Sequence, residues 1–174
     1  MPRQVNRHGG GARTNTNGLH FEQTTDLNTA LENAGYIVDD NGQVRNRNRI
    51  IGLSAPKKRI YKNFLEPNGI DYRNYNSKGW EPDEAFINYL NHTVYIIEKK
   101  FQNGSGSVDE KLPGCDFKKK EYEKLFSPLN YQVEFIYVFN NWFRQSCYND
   151  ILTYIRDVGC KYCYNDIPLD FLGL

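Results

Sequence analysis

One segment limits the possible folds more than any other. Val133 to Phe139 is an apolar run of strand length, rich in β-branched and aromatic residues. Successive side chains of a strand point to opposite faces, so such a run belongs inside a sheet covered on both sides. Helical spacing around it supplies cover. Phe117, Tyr122, Leu125 and Phe126 recur within Cys115–Phe126, and Ile151, Leu152 and Ile155 recur within Tyr148–Val158, which Gly159 stops. An α/β or α+β sheet flanked by helices follows. The 174 residues suit one domain, and a chain of that length buries roughly 70% of its unfolded surface.

Residues 1–17 are polar, Gly-rich and free of acid, and read as a flexible basic arm ahead of a single domain at 18–174. Leu19–Ala34 reads as a first helix ending at Gly35, Tyr36–Val38 as a short apolar run, and Asp39–Gly42 as a turn. Arg49–Leu53 and Arg59–Phe64 read as strands and Glu66–Lys78 as loop. Pro82–Asn88 reads as a strand, Asn91-His92 as a turn, and Val94–Gln102 as the next strand. Ser107–Glu110 has the spacing of a capping box. Cys160–Tyr164 reads as the last strand.

Charge enters through its distribution. Lys plus Arg number 22 against 21 Asp plus Glu, a net of +1, so bulk charge points to no polyanion. Yet residues 1–21, with Arg3, Arg7 and Arg13, contain no acid. Neither do residues 41–65, which carry Arg45, Arg47, Arg49, Lys57, Lys58, Arg59 and Lys62. Lys99-Lys100 and Lys118–Lys120 add two more clusters. Segregation of this kind builds basic faces on a neutral protein, and a basic face is the footprint of phosphate binding. The alternation Arg45-Asn46-Arg47-Asn48-Arg49 uses the side chains that pair bidentately with guanine and adenine. AT-rich codon usage is a rival source for the 20 Asn. No apolar stretch of membrane length and no secretory h-region occur, so the expectation is a cytoplasmic protein without a membrane partner.

The chemistry concentrates in Pro82-Asp83 and Glu98-Lys99-Lys100. On a strand, Glu98, Lys100 and Gln102 share one face and Lys99 takes the other. Charges at the end of a buried strand need partners, and Asp83 on a neighbouring strand is placed to supply one. Two carboxylates and an amine suit phosphodiester hydrolysis. Mg²⁺ binds one or two carboxylates and keeps several waters, and an amine neutralises charge developing on phosphate or handles the attacking water. The Lys99 carbonyl is a further candidate ligand.

Pro82-Asp83 followed by Glu98-Lys99-Lys100, with apolar Tyr95-Ile96-Ile97 before it, resembles the PD-(D/E)XK nuclease superfamily, which includes most type II restriction endonucleases. The resemblance implies a restriction-endonuclease-like α/β core, a central mixed β-sheet flanked by helices. It assigns Asp83 and Glu98 to metal and Lys100 to the catalytic step, and it makes Glu22, in the first helix, the candidate for an added acid. Over residues 18 to 140 the element order also follows the family. The implied function is Mg²⁺-dependent, site-specific cleavage of double-stranded DNA (Mn²⁺ able to substitute) by a homodimer, with a cognate DNA methyltransferase in the host. Arg13, Asn17, Arg45, Arg47, Arg49, Lys57, Lys58, Gln102, Ser107 and Lys118 are the candidate DNA contacts. The alternatives are a Holliday-junction or repair nuclease of the same fold, a DNA-binding protein without catalysis, and a structural protein in which Glu98 and Lys100 form a plain ion pair.

Other signals are weaker. Cys160-Lys161-Tyr162-Cys163 is a single CxxC with Cys115 and Cys147 scattered; a structural zinc site usually shows two such pairs, so reduced thiols are preferred to zinc. His8, His20 and His92 have no metal-ligand spacing. Gly104–Ser107 reads as a connector and Asn140-Asn141 as turn chemistry, with DNA tracking and adenine reading as the rival roles.

Overall fold

A computed structural model describes residues 11–174, and for residues 11–15 the backbone only. Two helices come first, α1 (Gly11–Thr24) and α2 (Leu27–Asn33). The sequence predicts one helix here from Leu19 to Ala34. Local bonds break it. The Thr25 hydroxyl donates back to the Phe21 carbonyl at 2.7 Å, and Asp26 caps the restart by accepting from the Thr29 N–H at 2.8 Å. Of the predicted arm, residues 1–10 lie outside the described residues, while 11–17 belong to α1.

Seven strands then form one sheet whose spatial order follows the chain. They are β1 (Ile37–Val38), β2 (Gln43–Asn46), β3 (Arg49–Ser54), β4 (Glu84–Asn88), β5 (Thr93–Lys100), β6 (Gln132–Phe139) and β7 (Lys161–Tyr164). From β1 to β5 every pairing is antiparallel, while β5–β6 and β6–β7 are parallel. A parallel pair needs a crossover, and α3 (Cys115–Phe126) and α4 (Asn149–Asp157) provide the two. The fold is therefore mixed α/β, a mixed sheet flanked by helices.

β6 shows why both faces are covered. Val133, Phe135, Tyr137 and Phe139 pack with Tyr122, Leu125 and Phe126 of α3 and Leu152 and Ile155 of α4. Ile136 and Val138 face the other way, onto Phe21, Leu27 and Leu31 of α1 and α2 and onto Ile167 and Leu172. Among the described residues no helix is long and apolar enough to cross a membrane.

Three local expectations fail for identifiable reasons. Arg59–Phe64 contains no strand; Tyr61–Leu65 is a π-helical turn that buries Tyr61, Phe64 and Leu65. Ile60, Tyr61, Phe64 and Leu65 have helical rather than alternating spacing. Ser107 caps nothing: a 3₁₀ stretch covers Asp109–Gly114, its N-cap is Val108, and no side chain bonds there. Phe117 faces solvent and is 55% exposed.

Gly52 shows how closely β3 is seated. A Cβ there would strike the Ile87 carbonyl oxygen and the Phe86 ring. Gly52→Ala is expected to lower stability by about 1–3 kcal/mol, the cost of overpacking a full core, as a lower urea midpoint at unchanged m-value.

Candidate functional site

The register of β4 and β5 pairs Glu84 with Ile97 and Ala85 with Ile96. Asp83 stands in a bend one residue before β4, just beyond the paired register, and reaches the end of β5 at the Lys99 amide. Alternation assigns Glu98 and Lys100 to the face of Ala85 and Ile96, beneath α3. Asp83 is fixed from two sides. Its Oδ1 accepts from Lys57 Nζ at 2.5 Å and its Oδ2 from the Lys99 backbone N–H at 2.8 Å. Burial alone would raise the Asp83 carboxyl, but Lys57 and the Lys99 amide hold it below its usual range. Glu98 is buried and receives two ammonium groups, Lys100 at 3.0 Å and Lys118, from α3, at 3.2 Å. Nearby, the Tyr122 hydroxyl is buried without a hydrogen-bond partner among the described residues. Burial raises its pKa, and the Glu98 and Asp83 charges add to that.

Lys99 goes through the sheet to the α1 side. There it forms a buried ion pair with Glu84 at 2.8 Å and donates to the Glu22 carbonyl at 3.2 Å. That bond ties the C-terminal end of α1 to the site. Glu22 itself is exposed and, with Leu19, Lys57, Asp83, Glu84 and Lys99, lines a cleft of about 270 Å³. A strand residue points its N–H and C=O the same way, so the Lys99 carbonyl is directed toward the Asp83 side. The Asp83 and Glu98 carboxylates and this carbonyl are hard oxygen donors of the kind Mg²⁺ takes, so the residue types fit such an ion. Among the described residues no group of three or more His, Cys, Asp or Glu forms a metal cluster. Of the cysteines, buried Cys115 and Cys160 meet as a hydrogen-bonded pair of thiols, while Cys163 is half-buried and Cys147 exposed.

The remaining candidates divide. Lys57 is at the site and Lys58 stands beside it, exposed and 4.0 Å from Glu81. Arg45, Arg47 and Arg49 are not brought there. They ride the β2–β3 hairpin, whose turn holds Arg47 at φ 55°. Since Ser54 is the end of β3 that pairs toward Asp83, the hairpin lies at the opposite end of a six-residue strand, about 20 Å away. Asn17 is exposed on α1 and Ser107 is exposed in its loop, whereas Gln102 is buried. The side chain of Arg13 lies outside the described residues. Asn141 accepts from Arg144 and Asn165, which is turn chemistry.

Glu84 is the residue sequence reasoning missed. Its signal was present: if Asp83 faces Glu98, the next residue must face the Lys99 side. No protein-family model, curated protein sequence or solved structure matches this chain.

Glu84→Ala leaves a buried ammonium unpaired and is expected to cost about 3–5 kcal/mol, while Glu84→Leu combined with Lys99→Met costs far less; urea denaturation compares them. Burial raises the Glu84 carboxyl above its ordinary 4.5, outweighing Lys99. The folded chain then holds more protons than the unfolded one between that value and the raised one. Wild-type stability should fall as pH rises through this window, and Glu84→Gln should lack that fall in Tm measured against pH.

Proposed function

We propose that this chain is a Mg²⁺-dependent endonuclease of double-stranded DNA, a member of the PD-(D/E)XK superfamily, and within it a type II restriction enzyme. One observation carries the reading: Asp83, just before β4, accepts from the Lys99 amide at the end of β5, next to Glu98 and its partner Lys100, while the Lys99 side chain turns away to Glu84. The element order supports it. A helix, the antiparallel strands β3 to β5, the helix α3 and the parallel strand β6 follow one another, as that superfamily implies for its core.

Asp83, Glu98 and the Lys99 carbonyl would hold the cation, with Glu22 reaching the same cleft from α1. When bound, Mg²⁺ supplies positive charge at the phosphoryl oxygen and acidifies a water. The chain's own groups do the rest. The Lys99 amide keeps Asp83 oriented toward β5. Lys100, set by Glu98, stabilises charge developing on the phosphate. Lys57, Lys58 and Lys118 offer ammonium groups to flanking phosphates. Two copies related by a two-fold axis would place one site on each strand of a palindrome, and a host methyltransferase would protect that sequence.

A second reading has its own observation. Each carboxylate is already matched by ammonium groups, Asp83 by Lys57 and Glu98 by Lys100 and Lys118, which is how a DNA-binding protein without catalysis would hold them. Plasmid or phage DNA incubated with the protein in Mg²⁺, Ca²⁺ or EDTA separates the two. Discrete fragments in Mg²⁺ alone are expected; a smear means a non-specific nuclease, and a gel shift without cutting means the binding protein. Asp83→Asn, Glu98→Gln and Lys100→Ala should each lower the cleavage rate about a hundredfold or more. Glu22→Ala should lower it less.

A further inference from the structure

Gln102 is 5% exposed, and neither Nε2 nor Oε1 of its side chain has a hydrogen-bond partner among the described residues. A buried carboxamide with both its donor and its acceptor idle is destabilising, so its placement calls for a reason. The surroundings hold it in place. Phe101 turns to the α1 side and packs on Phe21, ring centroids 5.6 Å apart, which leaves Gln102 on the face of Glu98 and Lys100. Asn140, at the end of β6, clamps the Gln102 backbone from both directions. Its Oδ1 accepts from the Gln102 N–H at 3.2 Å and its Nδ2 donates to the Gln102 carbonyl at 2.7 Å. Above the carboxamide lies Gly106, where an added Cβ would sit 3.7 Å from Gln102 Nε2.

We propose that Gln102 reads the major-groove edge of an adenine next to the phosphate held at Asp83, Glu98 and Lys100, once the Gly104–Ser107 segment lifts. The inference rests on the endonuclease reading for the position of the DNA. The chemistry selects the ligand. A phosphate takes donors only and would leave Oε1 idle, and the ammonium groups of Lys100 and Lys118, both beside Glu98, are the phosphate donors of this face in the endonuclease reading. The guanine edge offers two acceptors and cytosine a single donor, whereas adenine offers N7 as acceptor and N6 as donor, the complement of a carboxamide. Asn140 is thereby a positioning residue: with both ends of its amide committed to Gln102 backbone, it fixes the strand end and contacts no base. Gly104 and Gly106 give the covering segment freedom to move.

The test is binding by fluorescence anisotropy in Ca²⁺, using the full chain and one set of plasmid fragments amplified with either dATP or 7-deaza-dATP. The analogue lacks N7 and keeps N6. Wild type is expected to bind the analogue DNA about tenfold more weakly, as loss of one good base contact implies, and Gln102→Leu, which keeps the volume, should lose that discrimination. Equal wild-type affinity for the two DNAs overturns the inference, as does discrimination that survives in Gln102→Leu. The wild-type comparison needs no variant to fold. Cleavage in Mg²⁺ is scored on the same fragments. Discrimination without cleavage removes the endonuclease reading and keeps Gln102 as a base contact. Absence of DNA binding overturns both.

Discussion

The end of β5 carries charge on both of its faces, and the rest of the site is organised by the need to compensate that charge. Strand alternation sends Glu98 and Lys100 one way and Lys99 the other, into a protein whose interior penalises unpaired ions. The start of β4 answers on both sides: Asp83, just before it, reaches the end of β5 next to Glu98, and Glu84 takes the Lys99 face. A slip of one residue between the two strands would set carboxylate against apolar core on both faces at once. Register is therefore fixed by electrostatics as well as by the apolar pattern of Ala85, Ile87, Val94 and Ile96. The Lys99 residue joins the two faces, since its backbone N–H holds Asp83 while its ammonium group holds Glu84.

The sheet changes character at β5. On one side it is antiparallel, joined by short turns except for the long excursion between Ser54 and Glu84; on the other it is parallel and crossed over by α3 and α4. The candidate site sits at this seam, outside the carboxyl end of β5, where the crossover to α3 leaves the sheet. Open α/β sheets leave crevices outside the carboxyl ends of their parallel strands. The crossover brings Lys118 over Glu98, and the end of β6 brings Asn140 to Gln102. Side chains from both halves of the sheet thus meet at one point, while the Arg-rich β2–β3 hairpin, set by the antiparallel half alone, points to the other end.

What the sequence made legible follows from which residues act through their own periodicity. The β6 run, the α3 face apart from exposed Phe117, the α4 face and the separation of Glu98 and Lys100 from Lys99 depend on nothing beyond a local repeat, and these were readable. The break between α1 and α2 was not, because it depends on Thr25 and Asp26 spending side-chain bonds on nearby backbone. The turn at Tyr61–Leu65 was missed although Ile60, Tyr61, Phe64 and Leu65 have helical spacing, because so short a segment gives little weight to one period over the other. Glu84 and Asn140 became visible only with strand register, because their partners lie 15 and 38 residues away in sequence. The distance between the basic hairpin and the carboxylates is likewise a property of register, invisible to a count of charges.

The net charge of +1 takes on a local meaning at the carboxylates. Glu98 is met by two ammonium groups and Asp83 by a third, so both carboxylates are compensated before any ligand arrives. Lys57 is 58% exposed at its side chain and Lys118 only 25%, so Lys57 is the more readily released. An exposed ion pair of the first kind holds by about 0–1 kcal/mol. In the proposed enzyme, Asp83 and Glu98 would hold a divalent cation that supplies positive charge, and Lys57, released from Asp83 at little cost, would serve a neighbouring phosphate while buried Glu98 keeps Lys100 oriented. In that enzyme the same lysines would neutralise the carboxylates without DNA and the phosphates with it.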